Sequence, residues 1–223
     1  MTDSEDYDRK LASILDHTIL RPDATREDVE EQSRIADRYR FASIIVNSYN
    51  VSIVAEVLKD SPVLTGSAIG FPFGAVSPLV KSFEARDAVT QGADELDMVI
   101  NIGALKRGDY SIVEKEIYGV VRAAGSRPVK VVIETAYLTD EEKVAACTIA
   151  AEAGASFVKT SSGYAPSGAT VEDVRLMRKT VGPDIGVKAA GGIKSKEFAL
   201  RLIEAGATRL GLSKSVELVK GLL

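Results

Sequence analysis

Short apolar runs alternate with longer stretches of helical periodicity along most of the chain. Runs at 41–47, 64–69, 94–100, 129–133, 156–159, 185–188 and 208–210 are rich in Val, Ile and Leu, and read as strands. Between them, 78–91, 110–124, 170–180 and 195–205 carry the spacing of amphipathic helices, with a shorter one at 49–58 and a last one after Ser213. Lys10 to Leu15 reads as a short helix or turn that leads into Leu15-Asp16-His17-Thr18. Thr25 with Asp28, and Thr139 with Glu142, have the spacing of helix N-terminal caps. A polar loop is expected after 94–100. Gly92, Gly154 and Gly206 recur in three similar helix-to-strand junctions, and Gly92 sits where a helix C-terminal glycine belongs.

Counting the run at Leu15, the chain holds eight strand-helix units and no linker rich in Pro, Gly or Ser. Continuous apolar strands between amphipathic helices predict a parallel sheet covered by helices. Eight units predict an α/β fold closed as a (β/α)8 TIM barrel: one domain over 1–223, with 1–13 as a short N-terminal helical extension. An open doubly wound sheet is the competing architecture, but no Gly-x-Gly-x-x-Gly follows a first strand.

Composition narrows the partners. An apolar fraction of 45% and a charged fraction of 27% suit a soluble globular chain. The net charge of -4 is mild and the signs are interspersed, which argues against nucleic acid. No apolar run approaches membrane-spanning length, and the acidic start lacks the order of a signal peptide. Cys147 is the one cysteine, so an internal disulfide and a cysteine metal cluster are excluded. A cytoplasmic protein without a membrane partner is expected.

In a barrel of this kind, polar side chains at strand C-termini are the candidates for chemistry. In order these are Asp16 and Thr18, Asn47, Asp97 with Asn101, Glu134, Lys159, Lys188 and Ser213. Asp97, Lys159 and Lys188 fall in or directly after apolar runs, where an unpartnered charge is costly. Lys159 and Lys188 lie one strand-helix unit apart, which predicts corresponding positions on neighbouring strands. Two amines about 5 Å apart at an effective dielectric near 20 repel by roughly 3 kcal/mol. Repulsion and burial both favour a neutral lysine, which can attack a carbonyl and form an imine. The same residues also fit a structural salt bridge in which Asp97 or Glu134 neutralises both lysines. Spacing alone leaves the two readings open.

A second signal is glycine in the loops. Gly191-Gly192 follows the seventh strand, Gly211 and Ser213 follow the eighth, and Gly163 lies in the sixth loop. Backbone N–H groups there, with a helix N-terminus, form a common phosphate cradle in this fold. No metal site is expected, because His17 is the only histidine and no carboxylate cluster has ligand spacing. Ser161-Ser162 has no downstream histidine to activate a serine nucleophile.

Several of these stretches together resemble one family. Leu15-Asp16-His17-Thr18, the Gly70–Gly74 turn, Glu95–Asn101, Val158–Gly163, Val187–Ile193 and Arg209–Ser213 are similar to the deoxyribose-phosphate aldolases, in order and at ordinary spacing from about Leu15 to Val219. The resemblance implies a metal-independent class I aldolase without a cofactor. Its small-molecule substrates would be 2-deoxy-D-ribose 5-phosphate, acetaldehyde and D-glyceraldehyde 3-phosphate. By the same match, Lys159 forms the Schiff base, Lys188 tunes its pKa and joins proton transfer, and Asp97 belongs to a proton relay. Asp16 and Thr18 would bind substrate hydroxyls, while Gly163, Gly191, Gly192, Gly211 and Ser213 would hold the phosphate. The chain departs from the family's pattern at Ile45, where many members carry cysteine, and at Lys214, where a small residue is usual. An imine-forming barrel aldolase for another sugar phosphate, or a catalytically silent sugar-phosphate-binding barrel, are the alternatives. Self-association through exposed helices is a further expectation.

Overall fold

The computed structural model describes residues 7–223; the acidic start at 1–6, and with it part of the expected 1–13 extension, lies outside the described residues. Eight strands, β1 (Leu15–Ile19), β2 (Ser43–Asn47), β3 (Leu64–Ile69), β4 (Glu95–Val99), β5 (Val129–Val132), β6 (Phe157–Lys159), β7 (Gly186–Ala190) and β8 (Arg209–Leu212), form a closed parallel barrel in sequence order. The seam closes where β8 pairs with β1, Asp16 opposite Gly211. Around the barrel run α2 (Arg26–Tyr39), α3 (Val51–Val57), α4 (Pro78–Thr90), α6 (Tyr110–Ala124), α7 (Asp140–Glu152), α8 (Val171–Val181) and α9 (Lys196–Glu204). Three short helices, α1 (Arg9–Ala12), α5 (Ile102–Lys106) and α10 (Ser215–Val219), complete the described chain.

Strand alternation sorts the side chains into two environments. On β4, Leu96 and Met98 join the apolar layer under the helices; Glu95 and Asp97, also buried, are outside it. On β5, Val129 and Val131 pack outward while Lys130 reaches across the axis toward Asp16 on β1. The barrel interior is therefore charged over part of its height, and the main apolar core lies between strands and helices.

Local signals set the element ends. Thr25 and Asp28 form a reciprocal capping box at α2, as do Thr139 and Glu142 at α7. Gly92 and Gly206 turn the chain back into strands at φ 107° and 115°. A Cβ at Gly92 would stand 2.8 Å from that of Ala55, so both dihedral and space call for glycine. The segment read as a polar loop after β4 instead holds α5, started by the Asn101 side chain accepting from the Ala104 amide at 3.0 Å. Five residues are too few for periodicity to register. The expected helix at 49–58 is a 3₁₀ turn, Ser48–Asn50, running into α3.

Candidate active site

The register of β6 and β7 places Lys159 directly opposite Lys188. Both amines point inward and donate to the same atom: Lys159 Nζ and Lys188 Nζ each lie 2.7 Å from Asp97 Oδ2. Lys188 also lies 2.5 Å from Asp16 Oδ2. Asp16 Oδ1 accepts from Ser43 Oγ at 2.8 Å and faces Arg209 at 3.3 Å. One layer deeper, Lys130 Nζ sits 2.5 Å from Glu95 Oε1 and 3.3 Å from Asp97 Oδ1, without hydrogen-bond alignment to either. Its charge, not its bond direction, ties it to the cluster. Arg209 donates to Glu95 at 3.0 Å and, with Lys130, lies over the ring of Phe157, which closes this layer.

These contacts set the protonation states. Burial opposes ionisation of Asp97, but the ammonium groups of Lys159, Lys188 and Lys130 override it and hold its pKa well below the usual carboxylate range. Asp16 is likewise lowered against its own burial, by Lys188, Lys130 and Arg209. For Lys159 the balance runs the other way. Burial lowers its pKa, and Lys188 adds to the lowering against the pull of Asp97. Lys130 is raised despite burial by the carboxylates of Asp97, Asp16 and Glu95, so it stays a fixed cation.

A cavity of about 760 Å³ opens at the C-terminal mouth of the barrel, and Lys159 lies in its wall. Thr18, Gly163, Gly191, Gly192, Gly211 and Ser213 line it as well. Gly163, Gly191 and Gly192 hold φ of 94°, 80° and 72°, so the loops after β6 and β7 turn in ways that glycine alone allows readily. Gly211 has a different reason: a Cβ there would stand 2.9 Å from Lys188 Cε, so its absence makes room for that side chain. The exposed side chains of Lys194 and Lys214 add cations to the same wall.

The structure therefore splits the expected site in two. Lys159, Thr18, the glycines and Ser213 line the cavity, whereas Lys188 and Asp97 lie beneath it. Asp16, expected to bind a substrate hydroxyl, has its side chain buried below the cavity floor, with its oxygens on Lys188, Ser43 and Arg209. The salt bridge left open by spacing is present on Asp97, while Glu134 bonds to the Ser162 amide instead. Ser43, Glu95, Lys130 and Arg209 were missed. Lys130 carried the signal that revealed Asp97, a charge inside an apolar run, but it lies too early in its strand to be read as a strand end. His17 stands outside the site, bonded to Gln32 and Ser215. Among the described residues, no group of three His, Cys, Asp or Glu side chains is arranged to hold a metal ion.

A closed parallel barrel with a buried lysine at its mouth, over a second lysine and a shared carboxylate, is the frame of an imine-forming aldolase. The chain belongs to the DeoC/LacD family of aldolases, whose model matches residues 11–213. It is 55% identical to the deoxyribose-phosphate aldolase of Streptococcus suis, over 95% of this chain and 96% of the relative. Among solved structures, it superposes with a TM-score of 0.91 on the aldolase QR15, at 37% identity over 95% of each chain. It also superposes with a TM-score of 0.90 on the tetrameric deoxyribose phosphate aldolase of Aeropyrum pernix, at 32% identity over 96% of this chain and 91% of that one.

Proposed function

We propose that the chain catalyses the reversible cleavage of 2-deoxy-D-ribose 5-phosphate to acetaldehyde and D-glyceraldehyde 3-phosphate, through an imine on Lys159. The observation that carries this reading is that Lys159 alone, of the three lysines bound to Asp97, lies in the cavity wall. The neutral amine attacks the C1 aldehyde, and loss of water leaves an iminium. The iminium draws the electrons of the C2–C3 bond into an enamine as the C3 hydroxyl gives up its proton. Glyceraldehyde 3-phosphate departs, a proton returns to the enamine carbon, and hydrolysis frees acetaldehyde and Lys159.

Asp97 and Lys188 form the proton relay for the carbon–carbon step, since Asp97 Oδ2 accepts from both amines and so links Lys188 to the lysine in the cavity wall. Thr18 meets substrate hydroxyls. Gly163, Gly191, Gly192, Gly211 and Ser213 hold the phosphate through backbone and hydroxyl donors, with Lys194 and Lys214 near it. The likeness to deoxyribose-phosphate aldolases supports the deoxyribose substrate.

The chain is taken to act as one domain in the cytoplasm; no helix among the described residues is long and apolar enough to cross a membrane. Self-association is part of the proposal, since α4 leaves Leu79 and Phe83 exposed and the Aeropyrum pernix relative is described as tetrameric. The test is direct: purified protein is given 2-deoxy-D-ribose 5-phosphate and, separately, unphosphorylated 2-deoxyribose, and acetaldehyde is measured. Turnover of the phosphate ester at a much higher kcat/KM is expected. Equal rates on the two, or none on either, would overturn the substrate assignment.

A further inference from the structure

The cavity occupies one side of the barrel mouth. Its wall comes from the ends of β6, β7, β8 and β1 and the loops after them, with Asp28 and Gln32 of α2 and Leu223 beside them. Among the described residues, none from the loops after β2, β3, β4 or β5 lines it. The residue that parts the two sides is Tyr164. It lies in the cavity wall directly after Gly163, and its side chain reaches away from its own loop. The Tyr164 hydroxyl donates to Leu20 O, just past β1, at 2.9 Å. Its ring meets that of Phe71, just past β3, edge to face, with centroids 5.2 Å apart and planes at 89°. Both β1 and β3 stand well round the closed barrel from β6, so the side chain spans the mouth.

Both ends of this span are held. On the β6 side, the Ser162 amide donates to the Glu134 carboxylate at 3.1 Å and the Tyr164 amide to Ser162 Oγ at 3.1 Å. Further along the same loop, the Ala169 amide donates to Ala190 O and Gly191 O at 3.1 and 3.0 Å. On the far side, Asn47 Nδ2 donates to the same Leu20 O at 3.3 Å, which gives this strand-end residue of β2 its task. Glu84 accepts from Ser48 Oγ at 2.8 Å and from the Gly70 amide at 2.7 Å, and so ties the loops after β2 and β3 to α4. The ring is therefore half exposed to solvent but fixed in place, as a wall must be.

We propose that Tyr164 sets the specificity for the acceptor aldehyde: its ring limits the site to narrow aldehydes and screens Phe71 from apolar ones. The inference deepens the proposed function and rests on its imine on Lys159. In that reading the sugar phosphate runs from Lys159 on β6 to the glycines after β7 and β8, so its carbons pass on the inner side of the Tyr164 ring. A bulky uncharged substituent on the acceptor would have to occupy the space that the ring fills. With the ring gone, the edge of the site opens onto Phe71, an apolar surface on which an aryl group can rest.

The test is aldol addition of acetaldehyde to D-glyceraldehyde 3-phosphate and, separately, to hydrocinnamaldehyde, in wild type, Tyr164→Ala and Tyr164→Phe. The readout is the ratio of the two kcat/KM values. Tyr164→Ala is expected to shift the ratio toward hydrocinnamaldehyde by about tenfold or more, the scale on which an apolar pocket discriminates. Tyr164→Phe keeps a ring against Phe71 but loses the bond to Leu20 O, and is expected to shift the ratio the same way by less. A purely structural residue would lower both values together, so an unchanged ratio in Tyr164→Ala overturns the proposal whether or not the rates fall. Borohydride trapping of acetaldehyde on wild-type Lys159 tells the two possible failures apart. An adduct with an unchanged ratio overturns the wall alone, and no adduct overturns the imine reading and the wall with it.

Discussion

Lys159 and Lys188 aim their amines at a single oxygen, Asp97 Oδ2, each from 2.7 Å. One carboxylate oxygen thus serves two ammonium groups, while burial and Lys188 both act to lower the pKa of Lys159. The asymmetry between the two lysines comes from access: Lys159 meets the cavity and Lys188 does not.

Replacing Lys188 tests that coupling. In Lys188→Met a cation that lowers the Lys159 pKa is gone, so Lys159 holds its proton to higher pH. The acidic limb of the kcat/KM profile should shift upward in pH, and kcat should fall by about 10²-fold or more, the usual scale for losing a proton-transfer group. A profile with the same limb and turnover would show that Lys188 does not tune Lys159.

Asp97→Asn addresses the cost of the cluster. Removing the carboxylate leaves three ammonium groups around a neutral amide, and a broken buried ion pair typically costs about 3–5 kcal/mol. Because the folded pKa of Asp97 lies well below its ordinary value, its contribution is fully present above that ordinary value and is lost as pH falls through the folded one. Urea unfolding should show the deficit of Asp97→Asn at pH 7 and a smaller deficit at low pH. A deficit independent of pH would assign the loss to packing.

The sequence announced the barrel well because its period is regular and its strands are apolar on the outward face. Lys159 and Lys188 were legible for the same reason, since equal spacing in a repeating unit means neighbouring positions in the sheet. Lys130 and Glu95 were not, because a charge early in a strand is not read as a strand end, although Lys130 pairs in register with Asp97, meets Glu95 on the neighbouring strand and faces Asp16 across the interior. Asp16 was assigned to substrate by the family resemblance of Leu15–Thr18, which says nothing of how deep its side chain lies. The depth of a side chain below the mouth depends on barrel stagger, which spacing in one strand does not contain.

Away from the site, Lys81 on α4 and Glu116 on α6 form a buried pair at 2.7 Å that also holds Val99 O and the Asn101 amide at the end of β4. Lys81→Met alone should destabilise the fold by about 3–5 kcal/mol, since it strands the Glu116 charge. Lys81→Met with Glu116→Leu should recover part of that loss in chemical denaturation. A double variant less stable than Lys81→Met would contradict the pair as the cause.

Cys147 is fully buried on α7, and burial pushes its thiol pKa up to about 12. The thiolate is the reactive form, so iodoacetamide at pH 7.5 should leave native protein unlabelled and modify it after unfolding. Rapid native labelling, read by intact mass, would place Cys147 at the surface.

The proposed covalent bond between Lys159 and substrate can be trapped directly. Wild-type protein treated with acetaldehyde and borohydride, with and without a chelator, is digested and mapped by mass spectrometry. A reduced ethyl adduct on Lys159, unchanged by the chelator and absent from Lys159→Arg, is the predicted result. An adduct on another lysine, or one that forms only when metal is supplied, would contradict it.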